Sequence, residues 1–153
     1  MSGEPRCLQI SPIRNGTVID HITPGEAFNV LRILGITGTT EERLSVATNV
    51  VSRKSERKDI VKIENRELRK QEVDRIALIA PNATINIIRN YLVCDKKGVE
   101  IPEILRGVVR CPNPGCITNT REPIQSRFEV TAKGLHCLYC DWHLTEDIAG
   151  HII

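Results

Sequence analysis

The sequence predicts an α+β protein of two modules, a larger one of mixed strands and helices followed by a smaller β-rich one, and three observations lead to that expectation. Between residues 8 and 93, apolar residues alternate with a period of two in some segments and recur at helical spacing in others. A polar, turn-forming stretch, DKKGVEIPE at 95–103, then breaks the pattern. Beyond it lie four of the chain's 6 cysteines, grouped in two close pairs.

Length and composition agree with this division. A chain of 153 residues holds one ordinary domain or two small ones sharing an interface. With 41% hydrophobic, 26% charged and only 3% aromatic residues, the core must be built from Ile, Val and Leu. The net charge of +2, with no run of five Lys or Arg, gives no electrostatic footprint for nucleic acid. The opening MSGEPRCLQI lacks the basic and apolar regions of a secretory signal, and no apolar run has the length of a membrane span, so a cytoplasmic location is expected.

In the first module, LQISPIR and TVIDHI flank Asn15-Gly16, a dipeptide tolerant of positive φ, and the stretch reads as a β-hairpin. Thr23-Pro24-Gly25-Glu26 offers an N-cap hydroxyl, a proline at the first helical position and a glutamate at the third. Ala27, Val30, Leu31 and Leu34 follow at helical spacing and Gly35 terminates, which predicts a helix over about 24–34. RLSVATNVV and DIVKIEN alternate as two strands joined by the charged loop SRKSERK. Val73, Ile76, Ala77 and Ala80 mark a second helix ending at Pro81, and TINIIRNYLV reads as a single β-branched strand. The order β-β-α-β-β-α-β contains a ferredoxin-like split βαβ arrangement with one extra leading strand.

The second module is marginal in size and needs a staple. Cys111 and Cys116 enclose CPNPGC, Cys137 and Cys140 enclose CLYC, and two such knuckle turns bring four thiolates to the corners of a tetrahedron, as structural zinc requires. Disulfides are disfavoured in a chain without an export signal, and isolated core cysteines do not explain close pairs. Four protein ligands close the coordination shell, so the ion would be structural. His136 and His143 flank the second knuckle, but four sulfurs suffice without them. The rest of the module reads as short strands and turns with one helical turn in TEDIAG. Cys7 and Cys94 are expected on strands as reduced thiols.

No enzyme template fits. GxxxxGK[ST], GxGxxG after a strand, GxSxG and HExxH are all absent. Asp20-His21 sets an acid beside a base, but neighbours in a strand point to opposite faces, and no nucleophile accompanies them. Taken with Lys62, Asn86, Tyr91 and Lys96, the pair instead forms a nucleotide-binding inventory, a carboxylate for ribose hydroxyls with lysines and a histidine for phosphates. The competing reading is a zinc-ribbon nucleic-acid-binding protein. It calls for a basic second module, whereas Arg106, Arg110, Arg121, Arg127 and Lys133 are balanced by Glu122, Glu129, Asp141, Glu146 and Asp147.

NGTVIDHI (15–22), RKDIVKIEN (57–65), APNATINIIRNY (80–91), RCPNPGC (110–116) and HCLYC (136–140) together resemble the regulatory-chain family of aspartate carbamoyltransferase over nearly the whole length. The resemblance implies an allosteric domain at 1–100, ferredoxin-like and paired with its twin in a homodimer. It also implies a rubredoxin-like zinc domain at 101–153 that docks on the catalytic chain, with no catalytic activity in this chain itself. Nucleoside triphosphates would be the effectors, CTP inhibiting, ATP activating and UTP acting alongside CTP. By position, Asp20 and Lys62 would meet the ribose and His21 and Lys96 the phosphates. Ile13, Ile88, Tyr91 and Val93 would adjoin base and sugar, and Asn86 would line the same pocket. Cys111, Cys116, Cys137 and Cys140 would hold one zinc ion, and Asn113 would face the catalytic chain. Ser11, Pro12 and Asn15 depart from the family pattern beside the base, where Pro12 also removes a backbone donor.

Overall fold

Period-two alternation builds the larger of two sheets. The computed structural model describes residues 12–36, 41–52, 56–121 and 124–153. Five antiparallel strands, β1 (Gly16–Ile22), β2 (Leu44–Val51), β3 (Arg57–Glu64), β4 (Thr84–Arg89) and β5 (Leu92–Gly98), lie in the order β2-β3-β1-β4-β5. Helices α1 (Ala27–Ile33) and α2 (Lys70–Ile79) cover one face. Ile19, Val61, Ile63 and Ile85 point into that face and pack with Val30, Leu31 and Ile76, so one side chain in two along each strand supplies the core. β1-α1-β2-β3-α2-β4 is the ferredoxin-like split arrangement expected from the pattern.

The extra strand differs from expectation. β1 is paired on both sides, by β3 and by β4, which leaves it no edge for a hairpin with LQISPIR. Residues 8–11 of that segment, with Cys7 and Ser11, lie outside the described residues, and 12–15 are not strand. The fifth strand instead trails. TINIIRNYLV is broken at Asn90 and Tyr91, whose φ values of 51° and 67° are those of a two-residue hairpin turn. Asn tolerates that conformation, but tyrosine is no turn signal, so the sequence read as one continuous strand. The strand β5 also takes in residues 95–98 of the stretch expected to separate the modules. Asn15-Gly16 serves another purpose. The Asn15 side chain accepts the Asn90 N–H at 3.2 Å, its carbonyl accepts the Asn65 N–H at 2.8 Å, and a Cβ on Gly16 would collide with the Ile63 carbonyl oxygen.

Helix α1 begins three residues later than the Thr23-Pro24 signal suggested. Thr23 to Glu26 forms a turn, with the Glu26 N–H bonded to the Thr23 carbonyl at 3.0 Å. The cap comes from β3, where buried Asp59 accepts the N–H groups of Gly25 at 3.0 Å and Ala27 at 3.1 Å. Helix α2 ends before Pro81 as expected, and Glu72 in its first turn accepts the Arg69 N–H at 2.9 Å and pairs with Arg66 at 2.6 Å.

The second sheet, in the order β6-β7-β8-β9, is built from β6 (Ile104–Arg106), β7 (Arg127–Thr131), β8 (Gly134–Cys137) and β9 (His143–Leu144). Its own small core gathers Leu105, Val109, Phe128, Leu135 and Leu144 around the cysteines. The helical turn expected in TEDIAG appears slightly later, as a 3-10 turn at Ala149–His151. Among the described residues, no helix is long and apolar enough to cross a membrane.

Candidate functional site

The face of the five-stranded sheet turned away from the helices carries most of the sequence-nominated polar residues. Strand register sets them in rows. Lys62, Val18, Asn86 and Lys96 stand opposite one another across β3, β1, β4 and β5. Directly paired residues of an antiparallel sheet share a face, so Lys62, Asn86 and Lys96 project to the same side as Asp20, two residues beyond Val18. The Asn86 side-chain amide donates to the Val18 carbonyl at 3.2 Å, which holds it flat against the sheet.

Asp20 and His21 do not obey the alternation expected to separate them. The β1–β3 pairing shifts register between Ile19 and Ile22, and His21 sits at φ 57°. This is a β-bulge, which returns Ile22 to the core and turns both polar residues to the open side. The Asp20 carboxylate and His21 Nδ1 are 3.8 Å apart, and Thr84 Oγ1 lies 3.4 Å from the same nitrogen.

A lysine missed in the sequence completes this end of the face. Lys58 Nζ is 3.0 Å from Asp20 Oδ1. The sequence pattern places it in the charged loop SRKSERK, but β3 starts at Arg57, and Lys58, Ile60 and Lys62 continue one alternating series. That series was the available signal. Asp20, His21, Lys58 and Lys96 line one open cleft of about 650 Å3 with Val51 and Ser52. Burial alone would raise the Asp20 carboxyl. The hydrogen bond from Lys58, the His21 N–H at 2.7 Å and the nearby positive charge outweigh it and hold the group below its ordinary 3.8. Lys62 is shifted the other way, its ammonium lowered from 10.5 by burial.

The opposite end of the face is apolar. Ile88 pairs with Val93, and Ile13 lies buried above Gly16, itself paired with Ile88. Tyr91, in the adjoining turn, is exposed, and its N–H bonds to the Arg14 carbonyl at 2.8 Å. The surface thus runs from cationic, through polar, to apolar.

The second cluster is the four cysteines. Their sulfurs lie within 4.8 Å of one another, with Cys111–Cys140 at 3.5 Å and Cys116–Cys137 at 3.8 Å. Disulfides, at about 2.05 Å, do not fit. An ion bound tetrahedrally at a metal–sulfur distance of about 2.3 Å sets its ligands about 3.8 Å apart, which does fit. Burial pushes the Cys111 and Cys137 thiols up, so these sulfurs become thiolates only beside a positive charge. Cys140, at the more open edge, is brought down to about 7: burial opposes that fall, but hydrogen bonds led by Asn113 and the Trp142 N–H exceed it. Thr118 donates to Cys116 Sγ at 3.1 Å. The Asn113 side-chain oxygen accepts the Gly115 N–H and its carbonyl accepts the Cys116 N–H, both at 3.0 Å, which shapes the first knuckle. His136 and His143 are not part of the cluster. Their rings stack at 4.7 Å, and His136 Nε2 meets Asp141 at 2.9 Å. Cys94 is exposed on β5.

Comparison with known proteins covers both modules. The family model for the aspartate carbamoyltransferase regulatory chain, allosteric domain, matches residues 8–100, and that for the regulatory chain, metal binding domain, matches 103–149. An aspartate carbamoyltransferase regulatory chain from Methanoculleus marisnigri is 75% identical over 148 residues, covering 97% of this chain and 96% of the relative. One from Methanosphaerula palustris is 70% identical over 146 residues, covering 95% and 94%. One from Haloarcula marismortui is 52% identical over 153 residues, covering 100% and 99%.

Proposed function

The chain belongs to the family of aspartate carbamoyltransferase regulatory chains, and on that premise we propose that its open sheet face binds nucleoside triphosphates and that its cysteine cluster holds one structural zinc ion. The observation that carries the reading is the polarity gradient, a cationic cleft at Lys58, His21 and Lys96 at one end and Ile13, Ile88 and Val93 at the other.

A triphosphate fits the cationic end by charge-assisted hydrogen bonds. Asp20 and Lys62 serve the ribose, and Asn86 lies between the ribose and phosphate groups. Ile13, Ile88, Tyr91 and Val93 enclose the base and sugar, where Pro12 and Asn15 modify the choice among CTP, ATP and UTP. The Lys58–Asp20 ion pair keeps the lysine extended over the cleft before ligand arrives, so less side-chain freedom is lost on binding.

Residues 1–100 form the effector module and 101–153 the zinc module. Zinc, when bound, supplies folding free energy to a module too small to be stable on its core alone. The folded knuckles present Asn113 to the catalytic chain, and two effector modules pair in a homodimer. The chain has no catalytic role in this reading. CTP and ATP act by binding two quaternary states of the cytoplasmic holoenzyme unequally, a coupling of about 1 to 3 kcal/mol.

Aspartate saturation of the purified holoenzyme tests this. CTP should shift the curve one way and ATP the other, and Lys96→Ala should weaken triphosphate binding in calorimetry. Curves unmoved by saturating nucleotide would remove the regulatory role. The zinc-ribbon alternative predicts a steep loss of nucleic-acid affinity with salt and no co-purifying carbamoyltransferase chain.

A further inference from the structure

The C-terminal segment forms a seam between the two modules. On one side it is stitched to the second module by main-chain bonds, the Arg110 N–H to the His151 carbonyl at 2.7 Å and the Ile153 N–H to the Val108 carbonyl at 2.8 Å. On its other side it meets both helices of the first module. Arg32 of α1 donates from Nη2 to the Ala149 carbonyl at 2.7 Å. Arg75 of α2 donates from Nε to the main-chain oxygen of Ile153 at 3.0 Å and from Nη2 to the Gly107 carbonyl at 3.4 Å. Its remaining Nη1 bonds back to the Gln71 carbonyl at 3.1 Å, which pins the guanidinium to its own helix.

Among the described residues, Leu78 is the first-module side chain packed on the second core. An open groove of about 560 Å3 runs between α2, at Lys70, Val73 and Asp74, and the end of β5 with residues 99–102 that follow it. The described seam thus combines arginine-to-main-chain hydrogen bonds with the Leu78 contact, and polar interfaces within a chain permit relative motion.

We propose that Arg32 and Arg75 are positioning residues that carry the state of the effector face to the second module through their grip on the main-chain oxygens of Gly107, Ala149 and Ile153; this rests on the regulatory reading above. The geometry supplies a route. Lys58 and Asp59 are neighbours on β3 and point to opposite faces, Lys58 to the cationic cleft and Asp59 to the N terminus of α1. A ligand drawing on Lys58 moves the strand that holds α1 by its cap. Helix α1 carries that displacement along its axis to Arg32, in its last turn, and so to Ala149. Guanidinium donors lie in a fixed planar fork, so small rotations of either helix change which carbonyls they reach.

The test compares holoenzyme containing the parent chain with holoenzyme containing the double variant Arg32→Ala, Arg75→Ala. Calorimetry should give CTP and ATP affinities within about twofold of the parent, while the nucleotide-induced shift in aspartate half-saturation falls about fivefold or more. Arg75→Lys alone, which keeps the positive charge and a single donor nitrogen and leaves Arg32 in place, should retain most of the response. A double variant that responds as fully as the parent overturns the proposal and leaves the regulatory reading intact. A parent that responds to neither nucleotide overturns the regulatory reading and this proposal with it. Should the double variant not assemble, amide exchange at Arg110 and Ile153 in the full regulatory chain decides. CTP should alter it in the parent and not in the variant, and an equal change in both, or none in the parent, overturns the proposal.

Discussion

The Asp59 carboxylate accepts the Ala27 N–H at 3.1 Å, so the first helix is capped from a strand rather than from its own leading residues. The same carboxylate takes the N–H groups of Gly25 at 3.0 Å and Asn49 at 2.7 Å. One buried side chain thereby joins β3, a bulge in β2 and the start of α1.

Asp59→Ala should accordingly be among the most damaging single changes in the first module. It leaves the buried Ala27 N–H and the part-buried Gly25 and Asn49 N–H groups without their acceptor, a loss of about 2 to 3 kcal/mol. Asp59→Asn keeps one acceptor oxygen and should lose about half as much. Denaturant unfolding of the regulatory chain measures both, and an alanine variant within about 0.5 kcal/mol of the parent would show that the cap contributes nothing.

Lys58→Gln should weaken CTP and ATP binding by about 10- to 100-fold, the worth of a hydrogen bond to a charged group. It should also let the Asp20 carboxyl rise toward its ordinary value, since Lys58 supplies both a hydrogen bond and a charge that lower it. The sign of the pH effect follows. A carboxyl depressed in the folded state stabilises the fold above its unfolded pKa and loses that contribution as pH falls through the folded value, so the Lys58–Asp20 contribution is present at neutral pH and disappears below 3.8. Carboxyl NMR titration of parent and variant reads the shift directly.

Removing the metal should unfold the second module and leave the first intact. Three buried sulfurs and a fourth at the open edge are held together there with a core of few large side chains, and a structural ion's binding energy is folding energy. Metal analysis should return one zinc per chain. A strong chelator should release it together with a change in the emission of Trp142, the chain's single tryptophan, while the α1 and α2 signals in NMR persist. Cys137→Ser should do the same without chelator. A chelated chain with an unchanged spectrum would show that the cluster is not the staple.

What the sequence determined is what can be encoded locally. Alternation in DIVKIEN and TINIIR fixed which side chains enter the core, Pro81 fixed the end of α2, and the CPNPGC and CLYC spacings fixed the sulfur cluster. Each depends on residues a few positions apart, whose geometry is set by backbone period and turn stereochemistry. Tertiary structure decided the rest. Strand order alone brings Lys58 to Asp20 and Lys96 into the same cleft. The bulge that turns His21 outward exists because β1 must return Ile22 to the core while paired with β3. The turn at Asn90-Tyr91 is held by Arg14 and Asn15, far away in sequence, and the cap on α1 comes from another strand. Hydrogen-bond partners of this kind are chosen by which backbone groups would otherwise be buried unpaired, and that is settled only once the sheet has closed.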